Sequence, residues 1–386
     1  MENIFIIGSK GLPSKYGGYE TFVSELTKNK TNDSVQYYVA CQGAEKDNFE
    51  YHGAKCFNIK VPNIGPAKAI VYDIRAFKHC LEIIKKENIE NPVIYILACR
   101  IGPMFKRLVK KAHKLGVKVY INPDGHEWKR SKWSAPVKKY WKISEKLMVK
   151  HCDLVICDSI NIRKYINETY AKFIPNTTYI AYGAYEEPSK LEDNDPKVLD
   201  FYKKNKTQKN EYYLVVGRFV PENNYEIIIR EFMKSKTKKD LVLVTNYEDN
   251  KFAKELQSNL HFYNDPRIKF VGTIYDKQLL KKIRENAFAY IHGHSVGGTN
   301  PSLLESLVST KLNILYDVCF NKECANTSSI YFTKEENNLA YIIKLAESFS
   351  KEEIEEFGEK AKNEVATRYS WNFICNEYEE LFTRRR

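Results

Sequence analysis

The feature that most restricts what this chain can fold into is a regular alternation of short apolar runs with longer amphipathic stretches. Asn3 to Gly8, Val35 to Ala40, Val93 to Leu97, Val117 to Ile121 and Leu154 to Cys157 read as strands. Tyr19 to Lys28, Ile70 to Lys86, Lys106 to Leu115 and Val137 to Lys150 carry helical periodicity between them. Such alternation predicts a mostly parallel sheet covered on both faces, with ligands bound beyond the carboxyl ends of the strands. From Glu186 to Asn210 the pattern gives way to a charged, polar segment interrupted by Pro188 and Pro196, which predicts a domain junction containing at most one helix. A second series then begins. Its strands are expected at Tyr212 to Val216, Leu241 to Thr245, Ile268 to Val271 and Ala289 to His292; its helices at Tyr225 to Phe232, Phe252 to Leu260, Leu279 to Glu285 and from Pro301. The expected architecture is α/β, with two parallel-sheet domains facing each other across an interdomain cleft.

A chain of 386 residues can bury the cores that two such domains need. It shows no signal peptide and no apolar run near the length of a spanning helix, so any membrane association is expected to be peripheral. Nine cysteines form no CxxC and no zinc-like spacing, which points to a reducing cytosol and to cysteines serving as small buried hydrophobes. The formal charge is +12 and unevenly spread. Between residues 101 and 150, fourteen Lys and Arg stand against Asp124, Glu127 and Glu145, with Trp128, Trp133 and Trp141 interleaved. An anionic bilayer, a phosphorylated lipid or an ordinary solvated helix face each account for this field. A nucleic-acid partner is not expected, because the stretch carries no recognition motif.

Four segments carry candidate chemistry. In Gly293-His294-Ser295-Val296-Gly297-Gly298-Thr299-Asn300-Pro301-Ser302-Leu303-Leu304-Glu305, Asn300 can cap a helix that Pro301 begins. Backbone donors from Gly298 through Thr299 and Asn300 to Ser302 would then meet a diphosphate at a positive helix end, and Glu305 could accept from ribose hydroxyls. The same residues also suit a small-residue loop that merely starts a buried helix. Gly217-Arg218-Phe219 follows a strand directly, so Arg218 could neutralise a leaving diphosphate through a fork of charge-assisted bonds. Gly11-Leu12-Pro13-Ser14-Lys15-Tyr16-Gly17-Gly18-Tyr19-Glu20 lacks GxGxxG; Gly17 and Gly18 fit either a phosphate or sugar loop or a tight turn for close helix packing. In Asn122-Pro123-Asp124-Gly125-His126-Glu127, His126 could hydrogen-bond a sugar while Asp124 or Glu127 orients it or receives the acceptor proton. His292 and His294 either line the cleft or are core histidines. HExxH fails because Arg130 stands in place of its second His, and GxSxG, a P-loop lysine and a D-x-D metal centre are missing, so no metal is expected.

In combination these segments resemble the retaining GT-B glycosyltransferases of family four, and within them the bacterial rhamnosyltransferases that build capsule or cell-wall polysaccharide on a lipid carrier. The resemblance runs through GSKGLPSKYGGYETF, NPDGHEWKR, GRFVPENN, HGHSVGGTNPSLLES and the terminal SWNFICNEYEELF. It implies a Rossmann-like acceptor-side domain over residues 1–185, a Rossmann-like sugar-nucleotide domain over 186–368, and a helix over 369–386 returning to the first. It implies that Gly17 and Gly18 form the phosphate and sugar loop, that His126 contacts the donor sugar, that Arg218 is the diphosphate arginine, and that Glu305 is the second glutamate of E-x7-E. Gly297 stands where the first glutamate is usual, and Asn223 where the broader family has the lysine partnering the arginine. The donor implied is dTDP-L-rhamnose, with no other cofactor. The acceptor implied is glucose or N-acetylglucosamine on undecaprenyl diphosphate, at the cytoplasmic face of an anionic membrane, joined by a 1,4 linkage with retention. A UDP-sugar transferase is the nearest alternative; a noncatalytic sugar-nucleotide or membrane-binding module is another.

Overall fold

The computed structural model describes residues 1–14, 17–43, 48–247 and 251–384. They divide into two compact units, Met1–Gly183 with Trp371–Arg386, and Ala184–Ser370. The sequence-based boundaries, at 185 and 368, fall two residues later and two earlier than these.

In the first unit the strands are β1 (Glu2–Ile7), β2 (Val35–Gln42), β3 (Phe49–Tyr51), β4 (Ala54–Ile59), β5 (Pro92–Leu97), β6 (Lys118–Asn122), β7 (Leu154–Cys157) and β8 (Thr177–Tyr179). They form one sheet in the order β3-β4-β2-β1-β5-β6-β7-β8, parallel except for the β3–β4 hairpin. The helices between them are α1 (Gly18–Lys28), α2 (Lys68–Lys86), α3 (Gly102–His113), α4 (Ala135–His151) and α5 (Ile160–Thr169). Because helices cover the sheet, its central strands are apolar on both faces, and all six residues of β5 are buried. The expected strands and helices are present here with ends shifted by up to four residues. The β3–β4 hairpin, β8 and α5 were not expected. The hairpin closes through His52-Gly53, both at positive φ, a two-residue turn usually signalled by Asn-Gly or Asp-Gly.

The second unit begins with α6 (Pro196–Asn205), a helix inside the predicted junction. Its strands are β9 (Tyr212–Val216), β10 (Asp240–Val244), β11 (Ile268–Phe270), β12 (Ala289–His292), β13 (Asn313–Tyr316) and β14 (Ile330–Phe332). All pair in parallel, in the order β11-β10-β9-β12-β13-β14. The helices are α7 (Tyr225–Lys234), α8 (Lys251–Leu260), α9 (Lys277–Glu285), α10 (Pro301–Ser309), α11 (Cys319–Ala325), α12 (Asn338–Ala346) and α13 (Lys351–Arg368), the last started by a Ser350/Glu353 capping box. A final helix, α14 (Trp371–Thr383), belongs to the first unit. Its Tyr378 hydroxyl lies 3.2 Å from that of Tyr95 on β5, and its Glu379 accepts from the Thr31 and Asn32 amides. Both units are Rossmann-like parallel-sheet folds, and the chain has the GT-B fold.

All nine cysteines are free. Cys319 is exposed and Cys152 half-buried; the other seven are buried, as small hydrophobes would be. Among the described residues no helix is long and apolar enough to cross a membrane.

Candidate active site

In each sheet the chain runs outward from the first strand and later returns to that strand's other side. The crevice this leaves lies between β1 and β5 in the first unit and between β9 and β12 in the second. Such switch points are where open α/β sheets bind ligands.

In the second unit, β9 ends in Gly217-Arg218 and β12 in His292-Gly293-His294. The two loops interlock: Asn224 Nδ2 donates to Gly293 O at 2.7 Å and Ser295 N to Glu222 O at 3.0 Å. A Cβ on Gly293 would overlap the Asn223 carbonyl, so only glycine allows this approach. Arg218 is exposed beside it. Asn223, by contrast, is buried, and its amide donates to Arg218 O at 2.8 Å; it shapes the arginine loop rather than presenting a side chain to a ligand.

Helix α10 starts as its residues predict. Asn300 Oδ1 accepts from Ser302 N at 2.9 Å and Pro301 opens the first turn. That cap satisfies the Ser302 amide, Leu303 N and Leu304 N donate to Asn300 O at 3.0 and 3.1 Å, and Pro301 has no N–H, so a ligand at this positive end would meet the backbone just before the helix, around Gly298. Gly297 takes φ +141°, and a Cβ there would meet nothing within 4 Å. Glu305, one turn on, pairs through Oε2 with Arg284 Nη2 at 2.7 Å. Arg284, a buried residue at the end of α9, also donates to Ser302 Oγ at 3.3 Å, and Ser302 Oγ lies 3.1 Å from the Tyr290 hydroxyl. The sequence reading missed Arg284, Ser302 and Tyr290 as members of this network. His292 stacks on His294 at 4.3 Å and is fully buried; burial first, then the His294 and Arg284 charges, hold its imidazole well below the ordinary 6.5. It is therefore a neutral core histidine, whereas His294 sits against Gly217.

A cavity of about 440 Å³ opens at the ends of β10 and β11, lined by Thr245, Tyr247, Phe270, Gly272, Thr273 and Tyr275 among others. Phe219, next to Arg218, packs against two of these rings, Tyr247 at 6.5 Å and Phe270 at 5.8 Å. An aromatic-lined pocket thus adjoins the arginine loop. The aromatic residues after β10 and β11 were its only trace in the sequence.

In the first unit the crevice is filled from within. Arg100 Nη1 donates to Gly8 O at 2.8 Å and Leu97 O at 3.1 Å, and pairs with the buried Asp73 at 3.1 Å. Burial pushes the Asp73 carboxyl up to about 6 despite that arginine. Gly17, at φ +134°, lies directly on the Glu20 carboxylate, whose other oxygen accepts from Lys10 N at 2.7 Å; Gly18 begins α1. Lys15 and Tyr16 of this loop lie outside the described residues. A carboxylate against Gly17 favours a hydroxyl-bearing ligand over a second phosphate.

After β6, Asp124 and His126 both adopt left-handed backbone around Gly125, a strained arrangement for non-glycine residues. Asp124 Oδ1 accepts from Gly125 N at 2.7 Å and lies 3.8 Å from Arg130. Glu127 is bound to Arg130, Lys132 and the Trp133 indole N–H. His126 is buried, and its pKa is lowered to about 4 by burial, then by the Lys129 and Lys142 charges, with Asp124 opposing. The Gly17 and His126 loops both leave the carboxyl ends of parallel strands, β1 and β6, and Asp124 is close enough to raise the pKa of the half-buried Tyr19, behind the effect of burial itself.

Trp133 packs on Trp141 at 6.0 Å, and lysine ammonium groups lie over the rings of Trp128 and Trp133, all three tryptophans being half-buried. The exposed apolar side chains among the lysines of α3 and α4 are Met104 and Ile143. Lys106, Lys110 and Lys150 gather near His151 at the end of α4, whose pKa their charges lower behind its burial.

Comparison with known proteins agrees with this architecture. Residues 1–185 match a family model described as a domain of unknown function, DUF1972. No curated protein matches the chain. Solved structures similar over its whole length include a sucrose-phosphate synthase from Thermosynechococcus elongatus, with TM-score 0.74 and 16% identity over 99% of this chain and 98% of that one. Anabaena HepE in complex with UDP-glucose has TM-score 0.71 and 15% identity, with all of both chains covered. A glycosyltransferase from Rickettsia africae has TM-score 0.72 and 17% identity over 99% of this chain and 97% of that one. At such identities the likeness is one of fold.

Proposed function

We propose that this chain is a retaining family-four glycosyltransferase that moves L-rhamnose from dTDP-L-rhamnose to a glucose or N-acetylglucosamine on undecaprenyl diphosphate. The observation that carries a nucleotide-sugar reading is the β9–β12 switch point. There an exposed arginine, an asparagine-capped helix start and a glutamate within one turn of it converge beside an aromatic pocket. In this reading the nucleobase enters the pocket, Glu305 accepts from the nucleoside sugar, and the diphosphate lies between Arg218 and the start of α10 around Gly298, Thr299 and Asn300. Solved structures of the same fold hold UDP and UDP-glucose, which supports a nucleoside-diphosphate sugar as donor.

As the glycosidic bond breaks, negative charge grows on the leaving diphosphate, and Arg218 with the helix end would stabilise it. The acceptor hydroxyl can then attack on the same face, which retains configuration without a protein nucleophile. His126 would hydrogen-bond the sugar as a neutral imidazole, with Asp124 beside it as the group that orients it or receives the acceptor proton. Asn223 contributes by holding the Arg218 loop. Gly297 leaves open space where a carboxylate would otherwise seek sugar hydroxyls, which suits a 6-deoxy sugar. Gly17 and Gly18, beside Glu20, would meet acceptor hydroxyls. The basic face of α3 and α4 would hold the enzyme at an anionic membrane carrying the lipid diphosphate.

The test is mass-resolved product formation with dTDP-L-rhamnose and UDP-glucose supplied separately, against both lipid-diphosphate acceptors. Rhamnose addition is expected. Glucose addition would move the enzyme to the UDP-sugar transferases, and absence of any product would favour a binding module.

A further inference from the structure

Lys142, on α4, is held in an unusual setting close to His126. Its ammonium lies 4.3 Å from the ring centre of Trp128, 4.7 Å from Tyr165 and 5.5 Å from Tyr170. The carboxylate of Glu145, one turn along α4 and itself buried, sits 3.5 Å away. Tyr165 donates to Glu145 Oε1 at 2.5 Å, Tyr170 donates to the same oxygen, and Lys142 donates to the Tyr165 hydroxyl. Three rings and a carboxylate therefore fix one positive charge, by cation–π attraction and by charge-assisted hydrogen bonds.

Two of those rings also pack on His126. The imidazole lies 4.2 Å from Tyr165 and 5.9 Å, edge-on, from Trp128. Lys142 and His126 thus share the same two aromatic neighbours, from the loop after β6 and from α5. The Lys142 side chain stays 37% exposed, but its ammonium is turned onto these rings and serves as the counter-charge of the buried Glu145 carboxylate.

We propose that Lys142 is a positioning residue: its caged charge, anchored by Glu145, Tyr165 and Tyr170, keeps the His126 imidazole neutral and fixed as a hydrogen-bonding group for the bound sugar. The proposal rests on the transferase reading for its purpose, though its electrostatic core does not. Burial is the first cause of that imidazole's neutrality and the Lys129 charge the second; Lys142 adds to them in the same sense, and Asp124 opposes all three. The strong lowering of the His126 pKa and the lowering of Lys142 by burial are both consistent with two groups sharing a half-dry pocket.

The experiment uses the full chain labelled with ring-13C histidine, with His126 assigned from the H126Q spectrum. In the wild type His126 should titrate near about 4. Lys142→Met keeps the stem and removes the charge; its His126 titration should move upward toward the ordinary 6.5, while Lys142→Arg should stay near the wild type. With the donor and acceptor that give product, the midpoint of the acid limb of kcat/KM should move to higher pH in K142M by the same shift. A wild-type His126 titrating near 6.5 overturns the proposal even where K142M does not fold, and so does an unchanged titration in a folded K142M. A titration that moves while the acid limb stays overturns the positioning role and leaves the transferase reading to the product assay.

Discussion

Arg218 stands exposed at the end of β9, so its replacement tests chemistry and leaves the fold intact. Its guanidinium has five donors in a rigid fork, matched to a diphosphate. Arg218→Gln is expected to lower kcat by roughly 10²-fold or more, the scale seen when one preorganised donor to developing charge is lost. Arg218→Lys, which keeps the charge and loses the fork, should fall between. Initial rates with matched circular dichroism check this, and an R218Q enzyme with unchanged turnover would remove Arg218 from the mechanism. Arg218, Asn300 and Glu305 were legible because each follows a strand end or a helix start, where local residue order states what the backbone does. Arg284 was not. It lies in a helical stretch that reads as amphipathic surface, and only the packing of α9 against α10 brings it to Glu305.

At the scale of elements, α10 joins stability to ligand binding through one side chain. Asn300 caps the helix through Ser302 N, and the backbone just before it, around Gly298, lies at the positive end proposed to meet the diphosphate. Asn300→Ala should cost about 1 kcal/mol of stability, as loss of an N-cap generally does, and weaken nucleoside-diphosphate affinity as the first turn frays. Asn300→Asp separates the two effects. The carboxylate remains a good cap and favours the helix dipole, yet it places a negative charge beside the diphosphate. Thermal unfolding should therefore stay near the wild type in N300D while calorimetric affinity for dTDP or UDP falls; equal losses in both readouts would mean that Asn300 acts through folding alone. The same helix shows why some elements were readable from sequence. Asn-Pro followed by apolar residues at helical spacing sets its start without tertiary help, and the structure begins it at Pro301. The β3–β4 hairpin offered three-residue and six-residue strands joined by His-Gly, too little alternation and too unusual a turn to read. The edge strand β8 is shorter than any reliable period, with three residues paired only to β7.

At the scale of the whole molecule, two alternating series were enough to read two parallel sheets, because strands covered on both faces must be apolar throughout. The attachment of α14 to the first unit was not contained in any local pattern and came only from resemblance, since Tyr378 and Glu379 find Tyr95 and Thr31 across most of the chain. Two units with different buried groups should also respond differently to acid. In the second unit His292 is buried and neutral, its folded pKa far below the 6.5 of the unfolded chain. Below that value the unfolded chain binds a proton that the folded unit refuses, so stability is lost as pH falls from about 6.5. Asp240, raised by burial, opposes this loss in the second unit. In the first unit His126, near about 4, acts in the same sense as His292, but Asp73 acts against it. Raised from 3.8 to about 6, Asp73 takes up its proton in the folded state first and adds stability as pH falls through that window. In the second unit the fully buried His292 outweighs the half-buried Asp240, whereas in the first the buried Asp73 offsets His126, so acid should weaken the second unit before the first. The four tryptophans, Trp128, Trp133, Trp141 and Trp371, all belong to the first unit, so their fluorescence follows it alone while far-ultraviolet dichroism follows both. Between pH 7 and pH 4.5 the melting midpoint from dichroism is expected to drop ahead of that from fluorescence, and His292→Gln should make the dichroism midpoint less sensitive to pH. Midpoints that move together in the wild type, or an H292Q slope equal to the wild type's, would show that His292 does not set the acid limit of its unit.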